Sequence, residues 1–189
     1  VAPAVAQQSC SFPTTRTDAT GTAVSVPAEP ERVVTLAPSA AQTMWEIGAE
    51  QKVVGVTEYA SYLEGAENRT NVSGSGPGFA DVETVVGLNP DLVLAPDVVS
   101  NETVEKLRAA DVTVYKCREP GDLNDVIAQT RLTGRLVGEC DGAETVAEDM
   151  ETRLSEVRET VGDRDRPRVL YVFYGYTAGE DTFIHEILT

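Results

Sequence analysis

Histidine and lysine are scarce in this chain: His185 stands alone, and Lys52, Lys106 and Lys116 are the only three lysines among 189 residues. One histidine excludes a His-rich zinc site and the two-His metal motifs, so no metal ligands are assigned. A Ser-His-Asp triad would have to use His185, and no G-x-S-x-G turn accompanies it. Carboxylates are plentiful, yet no spacing singles out an acid and base pair. No catalytic residue and no cofactor is therefore assigned, and the chain reads as a binding protein rather than an enzyme. With 15 Lys and Arg against 31 Asp and Glu, the net charge is -16. The clusters of basic residues that phosphate backbones require are missing, which excludes nucleic acid as a partner. No apolar run is long enough to span a bilayer, so a membrane tether is expected only outside these residues.

What is present is an ordinary globular composition, 41% hydrophobic and 24% charged. The length suits one core and part of a second lobe. Acidic residues are scattered rather than gathered in a tail, and a Lys-poor acidic surface fits a halophilic protein, because concentrated salt screens its self-repulsion. Residues 1–6 read as the end of an exported signal peptide with an Ala4-Val5-Ala6 cleavage site, which places the mature start near Gln7 and the protein outside the cytoplasm. Cys10 lacks the apolar residue three positions earlier that a bacterial lipobox needs. Sequons at Asn68, Asn71 and Asn101 agree with an outside location. Cys10, Cys117 and Cys140 allow one disulfide and one free thiol, with the pairing open.

Along the chain, short apolar runs alternate with helical patterns. Runs at 33–36, 53–56, 92–95, 112–115 and 169–173 resemble strands buried on both faces of a parallel sheet. Ser39 with Gln42 reads as a capping box on a helix closed by Gly48; Asp81, Ser100 and Asp122 read as caps of helices ending at Gly87, Ala110 and Gly138. A turn at 19–21 between polar and alternating segments predicts an N-terminal β-hairpin. From 143 to 161 the apolar positions Val146, Met150, Leu154, Val157 and Val161 form one stripe of a long helix, about 28 Å from end to end. The expected fold class is α/β: a doubly wound parallel-sheet lobe with a hairpin, a long inter-lobe helix and the start of a second α/β lobe. The corresponding boundaries are a tail at 1–9, the ligand lobe at 10–141, the linker helix at 142–162 and the beginning of a second lobe at 167–189.

In such sheets ligands bind beyond the carboxyl ends of the strands. Those ends carry Pro38 and Ser39, Glu58 and Tyr59, Pro96 and Asp97, and Arg118, with Tyr174 and Tyr176 after the last run. Tyrosines offer a broad apolar face and one hydroxyl, which suits a large, partly polar ligand. The glycine-rich stretch 74–79 lacks the Gly-Lys-Ser/Thr ending of a phosphate loop, and reads as a cleft rim with Phe79 facing ligand.

These segments also carry a family likeness. Residues 32–48, RVVTLAPSAAQTMWEIG, resemble the first strand, turn and helix of class III (cluster A-II) substrate-binding proteins of ABC importers for cobalamin, ferric siderophores and haem. Residues 82–96, VETVVGLNPDLVLAP, resemble that family's second signature. The hairpin 17–27, TDATGTAVSVP, the long helix, and 174–188, YGYTAGEDTFIHEIL, match in order. The resemblance implies two lobes joined by a stiff helix, with a metal chelate, corrinoid or ferric siderophore, held between them and delivered to the permease. By motif position it implies that Glu83 docks onto permease arginines. It also implies that most of the second lobe lies beyond these residues, leaving the run 169–173 to be covered by further chain or by a second copy. A surface sensor or interaction module of the same fold, and less so an enzyme, are the alternatives.

Overall fold

The computed structural model describes residues 10–75, 80–162, 164–165, 167–179 and 182–188. Residues 1–9, expected as a signal-peptide remnant and N-terminal tail, and Phe79 lie outside the described residues. The chain opens with the expected hairpin, β1 (Thr14–Thr17) and β2 (Ala23–Val26), paired antiparallel around the turn at Asp18–Thr22. Next come β3 (Val33–Thr35), α1 (Pro38–Glu46), β4 (Val53–Val56) and β5 (Thr70–Asn71). They are followed by α2 (Val82–Gly87), β6 (Leu92–Ala95), α3 (Asn101–Ala109), β7 (Val114–Lys116) and α4 (Leu123–Val137). The long helix α5 (Cys140–Val161) and the short α6 (Phe183–Leu188) complete the order.

The five strands β3 to β7 form one parallel sheet in the order β5-β4-β3-β6-β7. Because neighbouring residues in a strand point to opposite faces, Val33, Leu92 and Leu94 pack with Met44, Ile47 and Leu136 beneath α1, α4 and α5. Val34, Val93 and Val114 pack on the other face with Val85, Val104 and Leu107 beneath α2 and α3. Three layers result, as both-face burial of the apolar runs requires.

Helix starts follow the sequence at three places. Asp81, Ser100 and Asp122 each accept the backbone N–H three residues on, from Thr84, Thr103 and Asp125. At α1 the capping box is not formed. Ala37 is the N-cap and Pro38 occupies the first turn, since its fixed φ starts the helix before Ser39 can cap it. Ser39 is thereby left exposed on the cleft side. Gly48 and Gly138 end α1 and α4 at φ 79° and 88°, values an L side chain resists.

The disulfide joins Cys10 to Cys140, and Cys117 is free. It ties the N-terminal segment to the root of α5, where Ala143 and Ala147 are buried. Arg131 of α4 reinforces that root, pairing with Glu144 at 2.8 Å and Glu151 at 2.7 Å. Further out, Val157 and Val161 of the expected stripe are exposed, so the outer half of α5 stands clear of the lobe. The run 169–173 is a correction: no strand forms there among the described residues. A strand exists only through a neighbour's hydrogen bonds, and here the pairing is a single turn-closing bridge between Phe173 and Tyr176. Tyr174 and Gly175 sit in that turn at φ 49° and 83°.

Candidate functional site

The sheet order reverses between β3, whose chain continues toward β4, and β6, whose chain continues toward β7. At that point both crossovers leave in opposite directions and a crevice opens beyond the strand ends. A hollow of about 430 Å³ occupies it. Ser39 and Thr43 of α1 form one side, Pro96 and Asp97 after β6 the floor, and Arg118 after β7 with Thr130 and Thr133 of α4 the other. Val98, Val126 and Phe183 make much of its wall apolar.

Four of the expected ligand residues, Ser39, Pro96, Asp97 and Arg118, therefore meet in one place. Pro38 is half-buried beside them and does not line the hollow. Glu58 and Tyr59 do not join this group. The 3-10 turn Glu58–Ala60 carries them to a second hollow of about 660 Å³ over the ends of β4 and β5, shared with Arg69 and Asn71. Tyr59 and Ser39 line different hollows because a five-strand sheet spreads its ends over about 20 Å. Tyr174 and Tyr176 are 88% and 79% exposed and line neither hollow.

A third, smaller hollow of about 310 Å³ lies between the hairpin turn and α4, and shares Cys117, Arg118, Gln129 and Thr133 with the first. Gln129 Nε2 donates to the Arg118 carbonyl at 2.9 Å, fixing that shared wall. Among the described residues the Arg118 side chain makes no hydrogen bond or ion pair, so its guanidinium is available to a ligand. Burial pushes the Cys117 thiol up to about 12. It stays protonated near neutral pH, which makes it a poor nucleophile there. Among the described residues no cluster of three His, Cys, Asp or Glu could hold a metal ion. The arrangement can enclose and orient a ligand, through an apolar wall and a few polar groups at its rim.

Two residues that sequence reasoning passed over support this geometry. Asp18, with a fully buried carboxylate, ion-pairs with Arg108 of α3 at 2.5 Å and accepts the Lys116 backbone N–H at 3.1 Å. Lys116, the last residue of β7 and only 4% exposed, reaches under the loop that carries Pro96 and Asp97. A lysine ending an apolar run was the available signal, and it reads by default as a strand boundary.

The sequence profile described as Periplasmic binding protein matches residues 33–189. The chain belongs to the periplasmic binding protein family. A member named "Cobalamin-binding protein" from Halobacterium salinarum is 50% identical over 182 residues, 95% of this chain and 49% of that one. An ABC transporter substrate-binding lipoprotein of Bacillus subtilis is 28% identical over 94% of this chain and 59% of its own length. The chain thus spans about half the length of these relatives. Among solved structures, a periplasmic heme-binding protein from Roseiflexus sp. RS-1 superposes with a TM-score of 0.73 at 23% identity, covering 84% of this chain and 62% of that one. The periplasmic vitamin B12 binding protein of Vibrio cholerae gives 0.68 at 24%, covering 77% and 56%. At that identity they establish the periplasmic binding protein fold for this chain.

Proposed function

We propose that this chain is the ligand lobe and linker helix of an extracytoplasmic substrate-binding component of an ABC importer, and that its cargo is a corrinoid. The likeness to the Halobacterium protein over 95% of the chain carries the choice of cargo. The switch-point hollow supports the role, because it gathers Ser39, Pro96, Asp97 and Arg118 beside an apolar wall. Residues 10–141 form the lobe, 142–162 the linker helix, and 167–189 begin a second lobe that closes the cleft from the far side. Tyr174 and Tyr176, exposed here, face that closure. The acidic surface suits a halophilic cell exterior.

Glu83, exposed in the first turn of α2, is the docking carboxylate for the permease. Its position on the lobe's outer layer leaves it accessible while cargo is bound. Electrostatic complementarity of this kind sets encounter and register.

The test is a titration in concentrated KCl with cyanocobalamin, a ferric siderophore and haemin, following Trp45 emission. Cyanocobalamin is expected to give a saturable response, and Glu83→Ala to keep that affinity while losing uptake in cells. Silence across the panel would shift the reading to a surface interaction module.

A further inference from the structure

Among the described residues, no carboxylate forms an ion pair with the Lys116 ammonium, although the side chain is buried inside a strand. Its three protons are directed at one loop instead. Nζ donates to the Pro96 carbonyl at 3.1 Å, to the Asp97 carbonyl at 2.7 Å and to the Val99 carbonyl. Those bonds match the full donor capacity of an ammonium. The loop 96–99 wraps the charge as backbone oxygens wrap a cation, and closes on itself through the Val99 N–H to Pro96 carbonyl bond at 3.0 Å.

The Lys116 backbone is held from the opposite side. Its N–H donates to Asp18 Oδ2 at 3.1 Å, and its carbonyl accepts the Ala19 N–H at 2.9 Å. A continuous polar chain therefore runs from the hairpin turn, through β7, to the loop that brings Pro96 and Asp97 to the hollow. A buried ammonium is costly unless hydrogen-bonded, so an apolar side chain would be the cheaper filler if packing alone were needed.

We propose that Lys116 is the positioning residue of the ligand hollow: its ammonium holds the 96–99 loop in the conformation that presents Pro96 and Asp97 to the cargo. This rests on the reading of the hollow given above. Lys116 touches no ligand itself and acts through the loop.

Charge on Lys116 is the operative quantity. Burial holds its pKa below the ordinary lysine value, opposed by the carboxylates of Asp97 and Asp18, with Asp18 itself paired to Arg108; the neighbouring Cys117, raised to about 12, is an uncharged thiol where Lys116 titrates. Discharge at alkaline pH leaves one carbonyl without its donor and loosens the loop. Folding responds with the opposite sign. A lysine whose folded pKa is lowered binds more proton when unfolded, so its own contribution to stability rises as pH rises. Weakened binding without weakened folding is thus the signature of positioning.

The experiment compares the protein with Lys116→Met, measuring cyanocobalamin affinity and amide hydrogen exchange at Val99 from neutral to alkaline pH, the exchange taken at each pH relative to the intrinsic base-catalysed rate so that it reports loop opening alone. In Lys116→Met the Kd is expected to rise about tenfold or more, the loss of a charged hydrogen-bond set, with Val99 exchanging faster and no further change with pH. In the unsubstituted protein, Kd and Val99 exchange are expected to rise together at alkaline pH while thermal stability holds. Unchanged Val99 exchange in the variant, or a pH-independent loop in the unsubstituted protein, overturns the proposal. If the unsubstituted protein does not bind cyanocobalamin, the corrinoid reading fails, and Val99 exchange alone still decides the role of Lys116. Should Lys116→Met not fold, the pH series on the unsubstituted protein decides it.

Discussion

Asp18 accepts five hydrogen bonds, from the Thr20 N–H and hydroxyl, the Thr22 N–H, Arg108 and the Lys116 N–H, with no exposed side-chain surface. Burial alone would raise its pKa; the hydrogen bonds from Thr20, Arg108 and Lys116 outweigh that and hold it below the ordinary aspartate value. A depressed carboxylate contributes stability above its unfolded pKa, near 3.9, and loses it as pH falls through the lower folded value. Asp18→Asn is expected to cost about 3 kcal/mol at neutral pH, since it strands the Arg108 charge, and to flatten the acid limb of the stability curve. Urea unfolding from neutral to acid pH measures both, and an unchanged acid limb would show that the carboxylate is not ionised in the fold. The turn around Asp18 was legible from its Asp-Ala-Thr-Gly-Thr sequence. Its partner was not, because Arg108 lies 90 residues away on another element. Ser39, Pro96, Asp97 and Arg118 were legible because position after a strand fixes them at the crevice. Glu58 and Tyr59 follow β4 as expected and line a second hollow, which position after a strand alone could not distinguish from the first.

At the level of elements, α5 is fixed at its root and free at its tip. Gly142 lies so close to α1 that an added Cβ would sit 2.0 Å from the Ile47 carbonyl oxygen. Gly134 of α4 faces Ala143 of α5 at 2.3 Å by the same measure. Neither obstacle is a flexible side chain that could swing aside. Gly142→Ala is expected to destabilise the lobe by about 2 kcal/mol through overpacking, read as a lower thermal midpoint. A variant as stable as the parent would mean that α5 does not dock on α1 as described. The helix itself and its apolar stripe were readable from periodicity. Where the stripe ceases to be buried was not, because Val157 and Val161 have the same spacing as Val146 and Met150. The strand expected at 169–173 illustrates the same limit: β-branched composition states a preference, and only a neighbouring strand realises it.

For the molecule as a whole, the α/β class with its parallel sheet was legible, since short apolar runs alternate with capped helices; the strand order was not, because β5 (Thr70–Asn71) has no apolar run to signal it and the run 169–173 joins no sheet among the described residues. The switch point between β3 and β6 follows from that order, and the hollow from the switch point. The net charge of -16 does not bear on this geometry; it sets the conditions, because self-repulsion is screened only at high ionic strength. The proposed transport role requires the cargo to sit in the hollow at the switch point. Ser39→Trp tests it most directly, since Ser39 is exposed at the hollow's edge and a bulky indole there fills the space without entering the core. Isothermal titration with cyanocobalamin in concentrated KCl should show 1:1 binding by the parent and affinity weakened about a hundredfold by the variant, a loss of roughly 3 kcal/mol. Equal affinity in the two proteins would place the cargo elsewhere than this hollow.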